Sequence, residues 1–166
     1  MSVAAREWHL ARRPGARAST EDFVLAETAV PAPGPGQVVV RNTHLSVDPY
    51  LRGRMDDRPS YIVPFPLNAP LDGAAVGVVV ETRAEGVPVG QVVEHFAGLR
   101  EVTVADHLHR MPAFRAEMIP WLRAGRIVHH QTVSDGIERV PDALLGLLRS
   151  GTATTGKVIV RLEGAR

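Results

Sequence analysis

Runs of β-branched residues broken by proline and glycine set the strongest constraint on how this chain can fold. Val38-Val39-Val40 follows directly on Pro31-Ala32-Pro33-Gly34-Pro35-Gly36, and Val76, Val78, Val79 and Val80 fall in one stretch after Gly73. β-Branched side chains lose rotamers in a helix and pack well on a pleated surface. Proline fixes φ and removes a donor, and glycine permits the reversal. Strands are therefore expected at Trp8 to Leu10 and over 23–28, 37–46, 74–82, 91–96 and 99–104. The nearly continuous apolar run in 74–82 predicts burial on both faces. Short strands at this spacing imply a mainly β chain, a partly open barrel or sandwich.

The pattern changes after Asp106. Phe114, Met118, Trp121 and Leu122 recur at helical spacing over 112–124, and Gly125 stands where a glycine ends a helix. Leu144, Leu145, Leu147 and Leu148 give a second helix, over 141–150, a wide apolar face, with Pro141 suited to its first turn. Residues 157–162 read as a last strand, which needs a sheet partner from the first 106 residues.

The 166 residues suit one domain. With 45% apolar residues and a net charge of +1, the chain is not of the disordered class. No apolar run approaches the length of a membrane span, and Met1 to Glu7 has no secretory-type stretch. A cytoplasmic protein is expected. With no cysteine there is no disulfide framework, Cys-ligated zinc or thiolate nucleophile. Lys157 is the only lysine among 19 lysines and arginines, a bias of GC-rich genomes. These charges are interspersed with acidic residues and leave no nucleic-acid footprint.

Gly151-Thr152-Ala153-Thr154-Thr155-Gly156-Lys157 has the spacing of a phosphate loop, but Val158 stands where Ser or Thr is needed, and a helix precedes it instead of following. It reads as a helix-to-strand turn. Gly73 and Gly77 read as small residues allowing close backbone approach. Seven histidines, in His107-x-His109, His129-His130, His9, His44 and His95, show no metal-ligand spacing. The richest segment is Leu45-Ser46-Val47-Asp48-Pro49-Tyr50-Leu51-Arg52-Gly53-Arg54-Met55. Pro49 favours an extended Asp48, so Tyr50, Arg52 and Arg54 would leave the strand on a tight turn. A tyrosine hydroxyl and an arginine fork can bind a carbonyl or developing enolate oxygen, or they can brace a corner.

That segment resembles the medium-chain dehydrogenase/reductase superfamily, in its zinc-free prostaglandin reductase (leukotriene B4 12-hydroxydehydrogenase) type. So do Arg6-Glu7-Trp8-His9-Leu10, Pro35-Gly36-Gln37-Val38-Val39-Val40-Arg41, Leu71-Asp72-Gly73-Ala74-Ala75-Val76-Gly77, Trp121-Leu122-Arg123-Ala124-Gly125 and Gly156-Lys157-Val158-Ile159-Val160. The resemblance implies a GroES-like domain built from both chain ends: 1–106, a junction at 107–111, and 112–166 completing the same domain. In the family an NADPH-binding Rossmann domain is inserted between the two parts. Here no G-x-G-x-x-G occurs, and the gap from Val104 to Met111 cannot hold a βαβ unit. Gln91 replaces the usual Asp after Gly90, and the usual aromatics are missing from 98–102.

The resemblance and the missing segment imply a cofactor-independent enzyme on an unsaturated carbonyl substrate, polyketide-like, acting by cyclisation, isomerisation or elimination in bacterial secondary metabolism. Tyr50 and Arg52 would hold the carbonyl, with His44 and His95 as proton carriers and Asp48, Tyr61 and Arg54 binding substrate. The alternatives are the catalytic domain of an NADPH-dependent enone oxidoreductase without its cofactor domain, and a non-catalytic binding module. No cofactor, metal, nucleic acid or membrane is expected. The helix over 112–124 would cover the former cofactor-domain face or form a homodimer through it.

Overall fold

A computed structural model describes residues 3–96, 111–149 and 154–162. The expected strand at 99–104, the junction at 107–111 apart from the backbone of Met111, and the start of the 151–157 turn lie outside them. β1 (Val3–Leu10) and β2 (Phe23–Val30) form an antiparallel pair. Five strands make the main sheet: β3 (Val38–Val47), β4 (Ala74–Thr82), β5 (Val92–Phe96), β6 (Gln131–Asp135) and β7 (Lys157–Arg161), ordered β5-β4-β3-β7-β6. The helices are α1 (Tyr50–Arg54), α2 (Met111–Arg123) and α3 (Val140–Leu147). The fold is mainly β with a few helices, and its sheets remain partly open.

β7 pairs antiparallel with β3, with Leu45 opposite Val160 and Val47 opposite Val158. The last strand thus sits inside the sheet, its valines in a core with Leu10, Phe23, Val47, Met55, Phe65 and Leu144. β1, β2 and α3 supply the cover over that face. Trp8 Nε1 donates to Ile137 O at 2.7 Å, tying β1 to the turn before α3.

β6 is a strand that the sequence pattern does not signal. It pairs parallel with β7 at the sheet edge, and Val133, its one large apolar side chain, is 44% exposed. An edge strand needs no alternating apolar face, so Gln-Thr-Val-Ser-Asp carries little periodicity. The tight turn expected after Pro49 is instead the short helix α1. α2 ends as expected: Gly125 has φ +66°, and the N–H groups of Gly125 and Arg126 reach Leu122 O and Trp121 O. Pro120 lies inside α2, and Phe114, Ile119, Trp121 and Leu122 are exposed. The Arg115–Glu94 ion pair, at 2.8 Å, links α2 to β5.

Gly77 allows the close approach read from the sequence. A Cβ there would lie 2.5 Å from Val40 Cγ1 and 2.6 Å from Arg41 O. Two register shifts in β3–β4, between Val39 and Val40 and between Asn42 and His44, flank this contact. Gly156, with φ +70°, packs its backbone on His130 just before β7.

Candidate functional site

The second register shift shapes the candidate site. Thr43 is passed over in the β3–β4 pairing, its hydroxyl donating to Val76 O at 3.0 Å. Residues opposite each other in an antiparallel pair share a face, so Asn42, opposite Gly77, joins Leu45, opposite Ala75. Across β4, His95 is also opposite Ala75. With no side chain at Gly77 and a methyl at Ala75, Asn42 and His95 meet over β4, Nε2 to Oδ1 at 2.8 Å.

This pair lies at one side of a cleft with about 730 Å³ of empty space, part of it open to solvent. Leu45, Val47, Leu51, Phe65, Leu71 and Leu144 are among its apolar lining, and Ser46, Asp72 and Gly73 also face it. Burial pushes the His95 imidazole below its ordinary value, so it is neutral at physiological pH.

Asp72 is held from behind. Arg54, only 5% exposed, donates to Asp72 Oδ1, to Asp72 O at 3.3 Å and, through Nε, to Val63 O at 2.9 Å. Its guanidinium lies 3.9 Å from the centre of the Phe65 ring. Tyr50 Oη is buried with no hydrogen-bond partner among the described residues. It sits beside Gly73, 3.7 Å from where a Cβ would be. Burial first, then the negative charge of Asp48, pushes the phenol up, with Asp72 adding and Arg54 opposing. The Ala74 N–H favours the phenolate slightly without meeting hydrogen-bond geometry.

The residues expected to converge are distributed differently. His95 lines the cleft. His44, opposite Val76, is on the other face of the sheet, its Nδ1 3.0 Å from Thr43 Oγ1. The bulge separates the two histidines. Tyr50 abuts the wall at Gly73 without lining the cleft. Arg52 turns away: it pairs with Asp56 at 2.8 Å, one helical turn on, and lines a separate depression with Arg17 and Leu145. Tyr61 is 64% exposed and outside the cleft. Arg54 is enclosed by its own partners, so the geometry makes it a brace for Asp72, and direct substrate contact is not its position. Asp48 accepts from Ser46 Oγ and Lys157 Nζ, which ties the start of α1 to β7. Asn42, Leu71 and Asp72 were not singled out as site residues from the sequence. The passed-over Thr43 hides Asn42, because strict alternation would place it with His44.

Among the described residues no group of three or more His, Asp and Glu could hold a metal ion. No helix there is long and apolar enough to cross a membrane.

Residues 6–112 match the family described as the N-terminal domain of oxidoreductase, and the chain belongs to that family, within the medium-chain dehydrogenase/reductase superfamily. It is similar to the NADPH-dependent curcumin reductase of Escherichia coli, 39% identical over 101 residues, 61% of this chain and 29% of the relative. It is also similar to YfmJ of Bacillus subtilis, named as an NADP-dependent oxidoreductase, 42% identical over 86 residues, 52% of this chain and 24% of the relative. The matches thus cover less than a third of either relative. The crystal structure of CurA from Vibrio vulnificus matches in fold, with a TM-score of 0.83 and 16% identity, over 99% of this chain and 100% of that one.

Among the described residues, the β6–α3–β7 unit does not fit the pyrophosphate of the dinucleotide in these relatives' names. It is the one parallel strand–helix–strand unit there, and a pyrophosphate would need a glycine-rich turn at its helix N-terminus. That turn holds one glycine, Gly136, and its carboxylates are already paired, Glu138 with Arg6 and Asp142 with Arg139. Arg6 and Trp8 occupy it from β1.

Proposed function

We propose that this chain is the carbonyl-compound-binding domain of an NADPH-dependent oxidoreductase of α,β-unsaturated ketones or aldehydes, of the zinc-independent, prostaglandin-reductase-like type. In this reading 1–106 and 112–166 form one GroES-like domain, and the nicotinamide is held outside the described residues. One coincidence carries the proposal: all cleft-lining residues except Val140 and Leu144 fall in 6–112, the segment matched to the oxidoreductase family. The cleft suits the role. Its apolar walls can hold the carbon skeleton, and a few fixed polar groups can orient the oxygen.

The test is a titration of the isotope-labelled chain with benzylideneacetone, a simple enone, followed by amide shifts. Shifts centred on Asn42, His95 and 71–75 are expected, with no heat on adding NADPH alone. No shift at millimolar enone, or shifts confined to the Arg52 depression, would overturn the proposal. Conversion of the enone without nicotinamide would replace it with the cofactor-independent reading.

A further inference from the structure

His95 is the one histidine in the cleft, and one of its ring nitrogens is committed. A neutral imidazole has one N–H and one lone pair, and a partner on one nitrogen decides the role of the other. Asn42 Oδ1 is an acceptor, so the proton is on Nε2 and the lone pair is on Nδ1. Nδ1 has no partner among the described residues, and unlike the Tyr50 hydroxyl it is not sealed from solvent.

The other polar groups nearby are already engaged. Ser46 Oγ donates to Asp48, and Asp72 is neutralised by Arg54. Glu94, next to His95 on β5, is opposite Val76 on the other face of the sheet and pairs with Arg115. An open acceptor nitrogen on a residue that lines an apolar cleft is matched by a hydrogen-bond donor on the ligand, which a bare enone lacks.

We propose that the Asn42–His95 pair makes the cleft selective for unsaturated carbonyl compounds that also carry a hydroxyl, Nδ1 of His95 accepting that hydroxyl's hydrogen bond. This rests on the cleft being the carbonyl-compound site. Asn42 is a positioning residue: it fixes the tautomer and the ring. Burial reinforces the arrangement, because an imidazole held below its ordinary value keeps its lone pair at neutral pH.

The experiment compares 4-(4-hydroxyphenyl)but-3-en-2-one with its methyl ether, which keeps the enone and the ring but cannot donate. The wild-type chain should bind the phenol about tenfold more tightly, the usual scale for one hydrogen bond gained or lost. His95→Phe should bind both alike, at the ether's wild-type affinity. Asn42→Leu should shrink the preference and give the His95 ring nitrogens a mixed-tautomer ¹⁵N spectrum, where the wild type shows protonated Nε2 and bare Nδ1. Equal wild-type affinities with both compounds in the cleft would overturn this inference and leave the carbonyl site standing. So would a proton on Nδ1, or a preference that survives His95→Phe. Failure of both compounds to bind would remove the carbonyl site and the inference together. The wild-type comparison and the nitrogen spectrum need no variant to fold.

Discussion

Replacing Arg54 by Met keeps the apolar stem of the side chain and removes its charge and donors. Four interactions are lost: the ion pair to Asp72, the bonds to Asp72 O and Val63 O, and the stacking over Phe65. Removing one partner of a buried pair costs about 3–5 kcal/mol, because the other charge is stranded. An unsatisfied carbonyl adds about 1–3 kcal/mol and the cation–π contact about 0.5–2 kcal/mol. These terms overlap, and the Asp72 side chain is 22% exposed, so water recovers part of its solvation. The expected loss is therefore about 3 kcal/mol, at the low end of that range. Urea unfolding measures it directly, and the melting temperature should fall by about 6–12 °C. Adding Asp72→Asn should restore part of the loss, because the stranded charge goes with it. A single-variant loss below about 1 kcal/mol would refute the bracing role, since this is what an exposed pair gives. A double variant no more stable than the single would refute it equally.

Gly77→Ala should destabilise by about 1–3 kcal/mol in the same assay, because the new methyl overlaps Val40 and the Arg41 carbonyl. Val160 is fully buried, and Val160→Ala should cost about 2–3 kcal/mol, from lost methyl burial plus the cavity left behind. Burial alone would raise the Asp22 carboxyl, but the Ser19 N–H and Arg12 outweigh it and hold it below its ordinary value. The stability it contributes is present above about pH 3.9 and fades as pH falls through the lower folded value, so Asp22→Asn should flatten the acid limb of an unfolding-versus-pH curve. His95, lowered by burial, gives full stability above about pH 6.5 and loses it as pH falls below that, a slope that His95→Phe should remove. A homodimer, the alternative to α2 covering the former cofactor-domain face, would use the exposed face of α2, and Trp121→Glu should then shift sedimentation from dimer to monomer. Identical sedimentation of both forms would end that proposal.

The fold was legible where apolar pattern and turn chemistry agree. Val38 to Val40, Val76 to Val80 and the leucines of α3 all lie in elements close to those their spacing implies, and Val158 and Val160 found their partners in β3. β6 was not legible, because an edge strand can be built from polar residues. His95 stands in the cleft, but Arg52 and Tyr61 do not, because residues near one another in sequence take different faces of α1 and the loop after it. The passed-over Thr43 reverses the alternation that would have paired Asn42 with His44, and no local residue preference announces it.

The proposed function requires that this cleft hold an unsaturated ketone. A crystal structure of the chain grown with benzylideneacetone tests it most directly. The ligand should lie between the apolar wall of Leu45, Phe65 and Leu71 and the polar side at Asn42 and His95. A ligand bound elsewhere, with the cleft filled only by water, would contradict that requirement.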